Sequence, residues 1–267
     1  MKKYQKIIKY CAIAFAIFII YEIIFGIITL VTSIVGIEEY SSNVEEISTK
    51  KIPTNISKLD IDISVSNLKI EKSNKFEISA NDNIKATRKN NTLYIEEKSK
   101  KILNRRKEND VTLFIPNNYV FENIELDTKA GKLEIDTLNV NNLELDLGAG
   151  NVEIDTLNVI DKAKINTGAG NFIVNHGIIN NLDLNMGLGN INIKTKLLGN
   201  NIIERGVGTI NLTLFGNPDD YKIDINKGIG SVKINGDKIT ESRIIGEGIN
   251  TISIDEGVGT LEINYQD

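Results

Sequence analysis

A glycine-bracketed turn recurs six times in the second half of the chain: Gly148-Ala149-Gly150-Asn151, Gly168-Ala169-Gly170-Asn171, Gly187-Leu188-Gly189-Asn190, Gly206-Val207-Gly208-Thr209, Gly228-Ile229-Gly230-Ser231 and Gly257-Val258-Gly259-Thr260. The residue between the glycines is apolar, the residue after them is small and polar, and an alternating apolar run follows each time. With Gly131 included, the second glycines stand at 131, 150, 170, 189, 208, 230 and 259, so the spacings are 19, 20, 19, 19, 22 and 29 residues. A period near 20 with local insertions is the mark of a solenoid. Each unit holds two alternating runs, as in Leu133-Glu-Ile135 followed by Leu143-Glu-Leu145-Asp-Leu147. The pattern predicts an all-β, single-domain β-solenoid with two short strands per coil. No coil can bury its own apolar row, so stacking has to supply the core.

The corner follows the same logic. Glycine takes φ > 0 where the chain turns sharply, so all twelve corner glycines read as structural turns. Ala149, Ala169, Leu188, Val207, Ile229 and Val258 are expected to point into the core between the strands. Asn151, Asn171 and Asn190 would then stack about 4.8 Å apart, close enough for an amide ladder. Phosphate-binding loops also carry glycine pairs, but they open a helix. Every corner here opens another strand, which argues against a nucleotide cofactor.

Upstream, the chain begins with Lys2, Lys3, Lys6 and Lys9, followed by an apolar run at 10–37 whose only carboxylate is Glu22. As a helix this run is long enough for a hydrocarbon core of about 30 Å. Lysines before it and Glu38, Glu39, Glu45 and Glu46 after it put residues 1–9 in the cytoplasm and everything beyond residue 37 outside. A cleaved signal peptide is the rival reading, but its apolar core is shorter and ends in an Ala-x-Ala-like site. A carboxylate inside a membrane segment is costly, so Glu22 is either protonated or locally hydrated, or in contact with a partner helix. Residues 38–58 read as a solvated linker. Strict alternation starts at Leu59-Asp-Ile61-Asp-Ile63, and the solenoid domain is assigned to 59–267. Ser64-Val65-Ser66-Asn67-Leu68 aligns with the later corners with serines in place of glycines, so residues 71–123 read as an elaborated first coil.

Charge is uneven. The formal charge of −5 divides into +3 for residues 1–37, +3 for 38–109 and −11 for 110–267. An acidic repeat region excludes a nucleic-acid role, which requires many cations against phosphates. The single cysteine, Cys11, lies in the apolar run, which rules out an intramolecular disulfide or a Cys-based metal site. Six cations cluster in Lys98–Lys107, and Lys100, Lys101, Arg105, Arg106 and Lys107 are the candidates for contact with lipid headgroups or an anionic wall polymer. The plainer reading is a solvated loop.

Outward positions Glu134, Asp136, Glu144, Asp146, Glu153 and Asp155 predict carboxylates in register on neighbouring coils. Such pairs resemble glycosidase acid and base, yet they follow strand alternation rather than a distinctive cleft. The only histidine, His176, falls in a predicted turn, and no nucleophile has a persuasive base. No catalytic, cofactor or metal residue is assigned. The last run, Leu261-Glu-Ile263-Asn-Tyr265, reads as half of a new coil, an exposed edge that would dock on another copy of the chain or on a partner protein.

The alternating strands leading to Phe114-Ile115-Pro116, then the serial Gly-x-Gly-Asn corners with Leu-Glu-Ile-Asp strands, resemble the bacterial putative-adhesin family of β-strand-repeat envelope proteins, over about residues 56–267. The resemblance implies an envelope protein and no catalytic or binding residues. The leading expectation is a non-catalytic, single-pass, membrane-anchored structural or interaction module outside the cell, binding an envelope protein or wall polymer. A regulatory partner in an envelope-stress response and a carboxylate-based polysaccharide-active enzyme are the alternatives.

Overall fold

The computed structural model describes residues 48–52, 55–81, 83–98 and 109–266. The apolar run 10–37 with Glu22 and Cys11, the linker residues 38–47, and Lys100, Lys101, Arg105, Arg106 and Lys107 lie outside them. Among the described residues no helix is long and apolar enough to cross a membrane.

Fourteen strands form one sheet. They are β1 (Ser48–Lys51), β2 (Lys58–Ser73), β3 (Glu77–Ala80), β4 (Ile84–Lys89), β5 (Thr92–Glu97), β6 (Asn109–Pro116), β7 (Val120–Asn180), β8 (Leu182–Leu198), β9 (Asn200–Phe215), β10 (Tyr221–Asn226), β11 (Ile229–Ile234), β12 (Asp237–Ile239), β13 (Arg243–Ile245) and β14 (Asn250–Gln266). A straight strand of 61 residues would run about 200 Å, but β7 coils. Within it the Asn171 side chain donates to Asn151 Oδ1 at 2.9 Å, 20 residues back. Parallel pairing continues from β7 to β8 (Gly170↔Gly189) and from β8 to β9 (Gly189↔Gly208). One solenoid turn therefore takes 19 or 20 residues.

The core is a set of inward rows stacked along this axis. Leu145, Ile165, Leu184 and Ile203 form one, and Ile154, Val174, Ile193 and Leu212 another, all essentially inaccessible to solvent. The coil also has a third inward run where two were expected. Leu138 and Val140, then Leu157 and Val159, are fully buried between the two expected runs, and the row continues through Ile179 and Leu197. Two apolar residues with one polar residue between them are too short a signal to register as a strand of their own.

The first coil is β2, whose Val65 and Ser66 stand beside Ala130 and Gly131 of β7. Residues 71–123 elaborate it. β5 and β6 lie parallel to β2 on its other side, with Leu59 beside Leu93 and Leu68 beside Val111. β4 returns antiparallel on β5, and β3 on β6. Phe76, Tyr119 and Phe121 pack edge-on and tilted at centroid separations of 4.9 to 6.2 Å, closing this end of the core. β1 pairs antiparallel with β3, so residues 48–51 of the expected linker are part of the sheet.

Two further expectations are corrected. The residue between the corner glycines points out, not in: Leu188 is 56% exposed, Val207 46%, Val258 44% and Ile229 74%. The core position at each corner belongs to the residue before the first glycine, giving Leu147, Thr167, Met186, Arg205 and Glu256, all buried. At the corner backbone stacks directly on backbone, and the inward row is set by alternation from the preceding strand.

The second correction concerns the end of the stack. β14 is not an edge. It runs parallel to β9 on one side (Gly259↔Gly208) and to β10 and β11 on the other (Ile252↔Ile223, Gly259↔Gly230). The coil made by β10 and β11 is therefore the outermost one, although it precedes β14 in sequence. The three-residue strands β12 and β13 lie antiparallel against it. Short strands of this kind blunt an exposed sheet edge.

Gly170 has φ +137°, and a Cβ there would sit 1.7 Å from the Gly150 carbonyl oxygen. Gly236 also has positive φ (+85°) but nothing lies within 4 Å of its Cβ position. Gly170→Ala should lower unfolding free energy by at least about 2 kcal/mol, and Gly236→Ala by about 1 kcal/mol, as read by urea titration. Equal costs would remove backbone stacking as the reason for the corner glycines.

Candidate functional site

Alternation leaves one outward row for each inward one, and cross-strand register turns these rows into ladders. On the face carrying β2 and β5, Glu96, Asp62 and Asp127 stand side by side on three adjacent strands, and Asp146 follows on the next coil. A second row, two residues back along each strand, holds Tyr94, Asp60, Glu125 and Glu144. Seven carboxylates thus occupy a compact array at strand spacing, about 4.8 Å. Burial pushes the Asp60 carboxyl above its usual range, and the charges of Glu96 and Asp62 add to the effect.

The array ends where the sequence changes. Lys164 Nζ meets Glu144 Oε1 at 2.6 Å, and Asn166 donates to Asp146 Oδ1 at 2.6 Å. The hydrogen bond to Glu144, with its charge, raises the Lys164 pKa. Beyond this point the row nearest the corner continues as Asn166, Asn185, Glu204 and Asp255. It forms one lip of an open groove of about 890 Å³ that runs along the stack, floored by Gly148, Gly168, Gly187, Gly206 and Gly257. Bare glycine backbone beside a row of acids and amides makes a surface that offers hydrogen bonds and negative charge with few side chains in the way.

The corner also carries the amide ladder: Asn171 donates to Asn151 and Asn190 to Asn171, each at 2.9 Å. A second ladder, not anticipated from the corners, joins Asn158 to Asn139 Oδ1 at 2.9 Å, and the Ile178 amide to Asn158 Oδ1 at 3.2 Å. Its only sequence signal is Asn139, immediately before Val140, recurring 19 residues later as Asn158. These amides tie coil to coil and leave little capacity for a ligand.

The carboxylates weighed as an acid–base pair do not make a cleft. Glu134 is held by Lys132 Nζ at 2.6 Å, and Glu153 is exposed on the next coil. His176 is exposed, with Nδ1 3.6 Å from Asp155 Oδ1. Among the described residues no group of three or more His, Cys, Asp or Glu is arranged to hold a metal ion.

Sequence reasoning missed one feature altogether. Arg205 and Glu256 form an ion pair at 3.2 Å with both side chains inaccessible to solvent. Burial pushes the guanidinium pKa down and the carboxyl pKa up, each opposed by the partner's charge. Both residues stand immediately before a corner glycine, the position that the outward assignment of the central residue hid.

Among curated proteins no relative matches the chain. Several solved structures are similar, among them the following three. A "putative adhesin" of Bacteroides fragilis is 16% identical, with 83% of this chain and 98% of that one covered and a TM-score of 0.41. A "putative cell adhesion protein" of Clostridium sporogenes is 21% identical, covering 83% and 100%, with a TM-score of 0.34. A "putative adhesin" of Parabacteroides merdae is 13% identical, covering 83% and 97%, with a TM-score of 0.35. The family model described as Toastrack DUF4097 matches residues 39–264, nearly all of the β-coil region together with the segment before it. The chain belongs to the Toastrack DUF4097 family, whose function is unknown.

Proposed function

We propose that this chain is a non-catalytic interaction module of the bacterial cell envelope, an adhesin-like solenoid held outside the membrane by the apolar run 10–37 as a single-pass anchor. The acidic array on β2, β5 and β7 carries the reading. A solenoid folds on its inward rows and its corner glycines, yet this face concentrates like charges in register, an arrangement that opposes folding. Features that cost stability without serving the core are those to be explained by use. An array of carboxylates at strand spacing, continuing into an open groove, fits a cationic protein surface spread over several coils. The printed names of the similar structures, which refer to adhesion, agree with binding rather than turnover. The basic segment with Lys100, Lys101, Arg105, Arg106 and Lys107 serves as a second contact, to an anionic wall polymer or lipid headgroups.

Two experiments test this. In intact cells carrying Cys11→Ser and Glu153→Cys, a membrane-impermeant maleimide should label the protein as fully as it does after lysis. Labelling only after lysis would overturn the extracytoplasmic assignment. The charge cost is read separately. Because the Asp60 pKa is raised in the folded state, that state holds the proton more tightly than the unfolded chain does. Its contribution to stability therefore falls as pH rises from the ordinary carboxylate value through the raised one, and the deficit is complete at neutral pH. Asp60→Asn should raise Tm at pH 7 and lose that advantage below about pH 3. A lowered Tm at pH 7 would mean that the array is structural.

A further inference from the structure

The inner corner row near the end of the stack reads Met186, Arg205, Glu256, Lys227 in spatial order. Met186 is in register with Arg205, and Arg205 with Glu256. Lys227 falls opposite Glu256, between the paired positions Asn226↔Asp255 and Ile229↔Val258. Charges in the row alternate: positive, negative, positive. Arg205 and Glu256 are buried and Lys227 is half-buried. Two coils were eligible for the place next to β9. The one built from β10 and β11 follows β9 directly after the short 3₁₀ turn Pro218–Asp220, and it carries Ile223, Ile225 and the corner Lys227-Gly-Ile-Gly. The other, β14, carries Ile252, Ile254 and the corner Glu256-Gly-Val-Gly. Their apolar rows and corners share one pattern, and chain proximity favours the first. The structure holds the second.

We propose that the buried charge row sets the strand order: Arg205 admits Glu256 as its neighbour and rejects Lys227, so β14 enters between β9 and the β10–β11 coil. In the sequential order Arg205 and Lys227 would face each other one strand spacing apart in the core, two cations without a carboxylate between them. In the observed order Glu256 lies between both. The pair is not arranged for maximum stability. Arg205 Nη1 donates to the Val258 carbonyl and Nη2 to Glu256 Oε1, both at 3.2 Å, but Arg205 Nε and Glu256 Oε2 have no protein partner. A well-packed apolar pair there would hold a coil equally well or better. Discrimination against the wrong neighbour is what charge supplies and an apolar pair does not.

The test reads strand order by crosslinking. Asp255 is in register with Glu204 on β9 and with Asn226 on β10. In the full chain with Cys11→Ser, Glu204→Cys with Asp255→Cys lies within disulfide reach, while Glu204→Cys with Asn226→Cys spans two strand spacings and does not. With native charges only the first pair should oxidise. Exchanging the charges, Glu256→Lys with Lys227→Glu, should move crosslinking to the second pair by about tenfold or more. Retention of the first pair at undiminished yield would overturn the proposal. If the exchanged chain does not melt cooperatively, the neutral variant Arg205→Met with Glu256→Leu decides. It should fold and crosslink through both pairs, and exclusive crosslinking through the first would again overturn charge selection.

Discussion

Everything in this solenoid depends on how closely one coil's backbone lies on the next at the glycine corners. At Gly189 a Cβ would meet the Gly170 carbonyl at 1.9 Å, and at Gly208 it would meet the Gly189 carbonyl at 1.8 Å. The constraint passes from coil to coil, since each Cβ would meet the backbone of the preceding coil and open the gap on that side. With the corners in contact, the strands between them are held at hydrogen-bonding distance and in register. Register also fixes which outward residues become neighbours, so the acidic array and the amide ladders are products of the corner as much as of their own residues.

The end of the stack follows a different rule. Through β7, β8 and β9 each coil lies on its predecessor, as chain connectivity favours. At β14 the order reverses, and the residues bridging the insertion are polar. The Asn250 side chain accepts from the Gly199 amide on one side at 3.0 Å and donates to the Asp220 carbonyl on the other at 3.1 Å. Asn201, buried, donates to the Thr251 carbonyl at 3.0 Å while accepting from the Leu182 amide at 3.1 Å. Apolar rows are promiscuous about their neighbours, whereas buried amides and charges are not. Specificity is concentrated where connectivity ceases to supply it.

This division explains what the sequence made legible. The period, the parallel stacking and the inward rows follow from glycine spacing and alternation, both local signals, and Ser64-Val65-Ser66 could be aligned with the glycine corners because its register is the same. The orientation of Leu188 and Val207 was misjudged because an apolar residue in a turn suggests burial, whereas the geometry of the bend outweighs its hydrophobicity. The third inward run was too short to declare itself. Strand order at the end was hidden for another reason: a spacing of 29 between Gly230 and Gly259 looks like one coil with an insertion, and only buried polar residues, the charges of Arg205, Lys227 and Glu256 read as a row and the amides of Asn201 and Asn250, distinguish the two stackings.

The same separation bears on the candidate interaction face. Inward residues answer to packing, and corner glycines to backbone stacking, so neither can record a ligand. Outward rows are under neither constraint, and beside the exposed apolar corner residues Leu188, Val207, Ile229 and Val258 three kinds of polar chemistry appear there. Amides at the corners satisfy one another along the stack and so belong to the scaffold. Cations such as Lys132 and Lys164 are committed to Glu134 and Glu144. The carboxylates of β2, β5 and the first turn of β7 are set in register, with burial and like charge together raising Asp60. Stacking alone does not require them, and a mixed-charge surface would be equally soluble. Of the outward features, this array therefore has the strongest claim to be read by another molecule.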